Sequence, residues 1–375
     1  MRSAWLEIDL AAYRANLAAL RAHCGAGVLA VVKANAYGHG LVPLARAALA
    51  AGAEALGVAL PEEGAALREA GDPALAAARI VVLGPALPEQ ATMVCDYRLE
   101  PVIASAEMVA AFALAACERA LRLPVHLKVD TGMGRLGVEP DRAPALCQRI
   151  AAEPHLALAG VCTHFARADE SEEATRAQWQ RFLPVVEWVR AHAATSVRLH
   201  AANSAAALWF PLSALDWIRP GLATYGVNPG ERPPPVPLRP VLALKARIAL
   251  VREFPAGAAI GYGGTYVTPA PARLAIVPLG YADGVPWSLG NRGTLLVRGQ
   301  PVPIRGRVCM DQILIDVTNL PGVAPGEEAV VIGRQGSATL SVEAVAATAG
   351  TIPYELLTRM AERLPRRYRD DAASA

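Results

Sequence analysis

Short runs of β-branched and aliphatic residues alternate with alanine-rich amphipathic stretches from the start of the chain to about residue 230. The candidate strands are "VLAVVKA" (28 to 34), "ALGVAL" (55 to 60), "RIVVLG" (79 to 84), "EPVIAS" (100 to 105), "VHLKVD" (125 to 130), "LAGVCTHF" (158 to 165), "VRLHAA" (197 to 202) and "DWIRPG" (216 to 221). Between them lie helical patterns such as "PEEGAALREAG" and "EEATRAQWQRFLPVVEWVRAHA", whose acidic starts suit the positive end of a helix dipole. Eight such strand-helix units fit a closed (β/α)8 barrel of the TIM type, although an open doubly wound sheet gives a similar pattern.

The segment "PGERPPPVPLRP" (229 to 240) carries too much proline for a helix or a central strand and reads as a linker. Beyond it the hydrophobic runs are closely spaced and separated by Gly and Pro turns, as in "LALKARIALVREF", "RLAIVPLG", "GTLLVRG", "QILIDVTNL" and "EEAVVIG". The expected organisation is a barrel domain over 1–232 and a mainly β domain over 233–375. An N-terminal strand at 3–9 is open to pairing with the second domain.

Composition narrows the function classes. Of 375 residues 53% are hydrophobic, enough to fill sizeable cores, and 36 basic residues nearly cancel 34 acidic ones. No single-sign field calls for nucleic acid or an anionic membrane, so small molecules are the expected partners. Six scattered cysteines lack the spacing of a zinc site, and no metal is expected. The opening "MRSAWLEIDL" alternates like a strand and includes two acids, and no apolar run approaches the roughly 20 residues that span a bilayer. A cytoplasmic protein is the expectation.

Candidate chemistry begins at "LAVVKANAYGHG" (29 to 40), where a buried run ends in a lysine. In an extended segment Lys33, Asn35 and Tyr37 would share one face at the catalytic end of the first barrel strand. A lysine sheltered from water loses solvation of its charged form, so its amine becomes free to condense with an aldehyde. A lysine that merely snorkels at a strand end is the plainer alternative. After the seventh strand "HAANSAA" and around the eighth "RPGLATYG" bring Ser204, Gly221 and the backbone N–H of Leu222 to where barrels commonly hold phosphate, although Ser and Asn also cap ordinary helices. An aldehyde-binding lysine beside an anion site describes pyridoxal phosphate. A phosphorylated sugar in an aldolase-like barrel fits the same two features.

The segments "AVVKANAYGHG", "KVDTGMGRLG", "THFARAD", "HAANSAA", "IRPGLATYG", "GYGGTY", "PLGYADG", "GRVCMDQ" and "TIPYELL" together resemble, in order and approximate spacing, the bacterial alanine racemase family over nearly the whole chain. The resemblance implies a barrel that binds pyridoxal 5'-phosphate, a β domain, and a homodimer with shared sites interconverting L- and D-alanine for peptidoglycan. It implies that Lys33 binds the cofactor and serves as one acid/base, while Tyr262 reaches into the partner's site as the other. A proton that leaves one face of Cα and returns to the other is better served by two groups than by one.

The resemblance further puts Arg219 beside the pyridine nitrogen, with His200 as its partner, and His164 near the ring. It assigns Tyr37, Ser204, Gly221, Leu222 and Tyr354 to the phosphate, and Arg135 and Met310 to the substrate. Lys128 corresponds to a lysine that can be carbamylated, whereas unmodified it would pair with Asp130 or another acid. Tyr281 and Asp283 are expected to line the entrance. A serine or broad-specificity racemase and, in another class, a non-catalytic pyridoxal phosphate carrier are the competing readings.

Overall fold

The structure, a computed structural model, describes residues 2–370. By contact the chain divides into two compact units, one made of Tyr13–Ala36 and Leu41–Arg239, the other of the residues up to Ala12, Tyr37–Gly40 and those from Pro240 onward. Among the described residues no helix is long and apolar enough to cross a membrane.

The strand β1 (Ala4–Asp9) belongs to the second unit, and the eight strands that follow close the first into a parallel barrel. They are β2 (Gly27–Val31), β3 (Ala55–Val58), β4 (Ile80–Pro85), β5 (Glu100–Ile103), β6 (Leu123–Lys128), β7 (Leu156–Cys162), β8 (Arg198–His200) and β9 (Trp217–Ile218). Closure is made by β2 on β9, with Gly27 opposite Trp217 and Val28 opposite Ile218, which excludes the open sheet. Helices cover parallel strands on their outer side, so the strand runs are buried throughout, as in Ala55–Val58 and Ile80–Val82. The helix Glu172–His192 starts on Ser171, whose hydroxyl accepts from Ala174 N, and carries Glu172 and Glu173 in its first turn.

Two expectations need correction. The last two strands are shorter than the hydrophobic runs, because beyond His200 and Ile218 the backbone turns to other work. Arg219 N donates to Ala202 O at 2.8 Å, and Pro220 has no N–H to give a ladder.

The segment after β2 is not extended either. Ala34, Asn35, Ala36 and Tyr37 all have φ between 52 and 54°, a left-handed turn, so alternate residues no longer share a face. Left-handed conformation costs roughly 1–2 kcal/mol per non-glycine residue. It is held from outside: Glu63 accepts from Ala34 N at 2.6 Å and from Ala59 N at 2.7 Å, and Asn35 Oδ1 accepts from Leu41 N at 2.7 Å.

In the second unit β1 pairs antiparallel with β10 (Leu242–Arg247), Leu6 facing Leu244. The remaining strands are β11 (Leu250–Phe254), β12 (Ala259–Ile260), β13 (Tyr266–Val267), β14 (Ala272–Val277), β15 (Thr294–Val297), β16 (Gln300–Pro303), β17 (Ile313–Asp316), β18 (Glu328–Gln335), β19 (Ala338–Leu340) and β20 (Arg366–Arg369). The larger sheet runs β16-β15-β18-β10-β1-β20 with β19 on β18, beside a three-stranded sheet β11-β14-β17 and the hairpin β12-β13.

Candidate active site

At the carboxyl ends of the barrel strands, here called the mouth, the chain sets Lys33 after β2, Lys128 at the end of β6, His164 after β7, Ser204 after β8 and Arg219 after β9. This is the end where such barrels build their sites. Lys33 makes no hydrogen bond or ion pair among the described residues. Burial lowers its pKa, the nearby Arg135 lowers it further, and Glu63 opposes the shift. Lys128 is brought down to about 8, chiefly by burial. It does not pair with Asp130, whose carboxylate accepts from Gly132 N and Met133 N at 2.8 Å and from Arg135 N at 3.2 Å. Those bonds shape the loop that carries Arg135, and Lys128, Asp130, Arg135 and His164 line one small cavity.

Arg219 is buried. Its Nη2 donates to Thr163 O at 2.7 Å and Ala201 O at 3.0 Å and lies 3.3 Å from His164 Nδ1, while Nη1 lies 3.0 Å from His200 Nδ1. All four acceptors are uncharged. Nε–H has no acceptor among the described residues. Burial and the cations Lys128, Arg219, Arg135 and Lys33 together hold His164 well below the ordinary histidine range, so its ring is neutral. The mouth thus gathers positive charge around a neutral imidazole.

Ser204 and Gly221 come together, with Leu222 next along the chain. Ser204 Oγ accepts from Gly221 N at 2.9 Å and from Ala223 N at 3.2 Å, and Asn203 caps the helix Ser204–Trp209 by accepting from Ala206 N. The N–H of Leu222 is left without an acceptor among the described residues.

At the amino ends of the strands, the floor, Arg79 Nε and Nη2 each donate at 2.7 Å to Glu100, and Glu100 Oε2 lies 2.9 Å from His126 Nε2. Sequence reading passed over Glu100 and His126. The available signal was a glutamate and a histidine inside otherwise apolar strand runs, with His126 and Lys128 two apart and therefore on one face of β6.

In the second unit the rings of Tyr37 and Tyr354 are 6.1 Å apart, and Arg366 Nε donates to Gly38 O. Tyr262 stands in the turn between β12 and β13 among three glycines with positive φ and is 70% exposed; Met310 is 53% exposed. Arg307 packs against Gly263 and faces the Trp287 ring, and Trp287 shares a pocket with Tyr281. Tyr262, Tyr281, Trp287 and Met310 are all large and exposed. Asp283 departs from its expected place at an entrance: it is fully buried, pairs with Arg2 and with Arg363, and accepts from Gly280 N. A carboxylate bound by two guanidiniums is a structural anchor.

Residues 8–229 match the alanine racemase N-terminal domain and residues 241–368 its C-terminal domain. The chain is 41% identical over 373 residues to an alanine racemase of Halothermothrix orenii, covering 98% of this chain and 97% of that one. The solved alanine racemase of D-cycloserine-producing Streptomyces lavendulae superposes with a TM-score of 0.89 at 37% identity, covering 99% and 98% of the two chains. That of Bacillus anthracis with bound L-Ala-P superposes with a TM-score of 0.90 at 36% identity, covering 99% and 96%. With both halves matched and relatives aligned along nearly their full length, the chain belongs to the alanine racemase family, isomerases that act on alanine.

Proposed function

We propose that the chain interconverts L- and D-alanine with pyridoxal 5'-phosphate held at Lys33, by two-base proton transfer at Cα. The observation that carries this is a half-buried lysine that makes no ion pair among the described residues and is set near other cations. The residues fit the cofactor on three counts. The amine of Lys33 is shifted toward its neutral, condensing form. The N–H of Leu222 and the Ser204 hydroxyl offer donors to a phosphate, to which the family resemblance adds Gly221, Tyr37 and Tyr354. Arg219 Nε–H is an unused donor for a ring nitrogen.

When bound, pyridoxal phosphate supplies an aldehyde that condenses with amines and a conjugated ring that withdraws electrons from Cα. Arg219 hardly gives up its proton, so it donates to a ring nitrogen without transferring charge to it, which limits electron withdrawal and with it side reactions. Neutral His164 can pack near the ring without adding charge. Arg135, on the Asp130 loop, offers its guanidinium to the substrate carboxylate, and Met310 offers its backbone.

Lys33 moves the proton on one face of Cα. Tyr262, lent by a second copy of the chain, moves it on the other, and its exposed, glycine-rich turn suits a homodimer surface. Lys128, with its amine near neutrality, is a site for carbamylation, which would set an anion beside Arg135.

Exchange of the Cα hydrogen in deuterated water, read for alanine, serine and lysine, tests the proposal. Exchange of alanine well above the others is expected, and Tyr262→Phe is expected to slow racemisation by roughly 10²–10⁴-fold, the worth of a positioned acid/base. Exchange of serine or lysine equal to alanine would replace the substrate assignment. Cofactor bound without any exchange would replace the enzyme with a carrier.

A further inference from the structure

Five polar side chains run in series through the barrel from floor to mouth, and the two ends decide where every proton between them sits. The links are Arg79 to Glu100, Glu100 Oε2 to His126 Nε2 at 2.9 Å, His126 Nδ1 to His200 Nε2 at 2.9 Å, and His200 Nδ1 to Arg219 Nη1 at 3.0 Å. A guanidinium has donors only, so His200 Nδ1 is bare and accepts. A neutral imidazole then carries its proton on Nε2, which donates to His126 Nδ1. That nitrogen is bare in turn, so His126 carries its proton on Nε2 and donates to the carboxylate.

A second proton on either ring would set two N–H groups head to head. Burial disfavours that charge, holding His126 below its ordinary value and His200 well below it. Glu100 stays ionised because Arg79 and His126 outweigh its desolvation.

The enclosure of this series is specific. A Cβ built on Gly160 would fall 2.3 Å from His126 Nδ1, so glycine there is what admits the ring. Trp217 flanks both imidazoles, and Arg79 lies over the same indole at 4.7 Å. Barrel interiors are ordinarily packed with branched aliphatic side chains. A row of buried polar groups pays off only when each is satisfied, and here each heteroatom between Arg79 and Arg219 has its complement.

We infer that Glu100 and His126 are positioning residues for Arg219, acting from the opposite end of the barrel by fixing the tautomer of His200. The inference rests on the reading of Arg219 as donor to a ring nitrogen. Without the carboxylate the reversed proton order becomes accessible. His200 would then present Nδ1–H to Arg219 Nη1–H, and the guanidinium would lose the contact that directs its remaining Nε–H toward the mouth.

The test is the ¹⁵N spectrum of histidine-labelled protein, with and without pyridoxal phosphate. In the unmutated protein His126 and His200 are expected to be bare at Nδ1 and protonated at Nε2, unchanged from neutral to mildly acidic pH. In Glu100→Gln the His200 signals are expected to move toward the protonated Nδ1 form, with roughly tenfold weaker cofactor binding, the scale of one buried hydrogen bond. Gly160→Ala, which displaces His126 and alters no titratable group, is expected to shift His200 the same way. A proton on His200 Nδ1 in the unmutated protein overturns the inference even if neither variant folds. So does an unchanged His200 tautomer in either folded variant. Both outcomes are separable from failure of the racemase reading, which is decided by Cα exchange in the unmutated enzyme.

Discussion

The two ends of the barrel interior treat positive charge in opposite ways. At the floor Arg79 meets Glu100 through two hydrogen bonds of 2.7 Å, and the carboxylate is drawn down to about 2 because that pair and His126 overcome its burial. At the mouth Lys33 and Lys128 make no ion pair among the described residues, and Arg219 meets carbonyls and imidazoles. The first arrangement satisfies its charges within the chain. The second costs stability and makes sense for a site that receives anionic groups, since unpaired buried cations are tolerated where function needs them.

The comparison predicts opposite responses to mutation. Lys33→Ala is expected to lower racemisation by about four orders of magnitude or more, since it removes both cofactor attachment and one base. Its melting temperature without cofactor should be unchanged or higher, because no partner is left unpaired; a marked loss of stability would mean that Lys33 is a structural residue. Glu100→Gln, at the floor, should instead destabilise by about 1–3 kcal/mol, the scale of charge-assisted hydrogen bonds lost to a partner that keeps some access to water, as read by denaturant unfolding.

Acid should find the floor first. Histidines kept neutral must take up protons when the chain unfolds, so stability falls as pH drops below about 6.5. Glu100 adds a loss between its ordinary 4.5 and its folded value of about 2, on the order of 3 kcal/mol in all. A stability profile flat through this range in the wild type would contradict the buried series.

The mouth has the same slope in a higher pH window, where the charged form is the one penalised. Lys128 titrates at about 8 in the folded chain and 10.5 unfolded, so the unfolded state takes up the proton first as pH falls from 10.5, and below about 8 the folded state carries the whole cost of the buried charge. Lys128→Met should therefore raise the stability of the cofactor-free protein at neutral pH by up to about 3 kcal/mol. The gap should close as pH rises from about 8 to 10.5. Comparing the two proteins at each pH removes the contribution of buried thiols such as Cys147, which burial pushes up to about 12.

How much of this was legible depended on the range of the interaction. The strands β2 to β7 stand out as apolar runs because both faces of a parallel barrel strand are buried, and local composition carries that signal. Lys33, Ser204 and Arg219 were readable because they follow such runs. The left-handed turn at Ala34–Tyr37 was not, since Ala and Tyr have no local preference for positive φ and the conformation is imposed by Glu63 from the following helix. The series from Arg79 to Arg219 joins residues far apart in sequence through barrel closure, and no local spacing announces it. Asp283 misled for a similar reason: in "GYADG" it resembles a loop acid, and only the fold brings Arg2 and Arg363 to it.

The central claim is that the mouth's unpaired charge exists to hold pyridoxal phosphate at one particular amine. Two half-buried lysines with lowered pKa compete for that role, Lys33 and Lys128. Reducing the cofactor-loaded protein with borohydride and mapping the added mass by peptide decides between them. The account predicts one cofactor per chain, fixed to Lys33; cofactor found on Lys128, or no stable attachment to either, would contradict it.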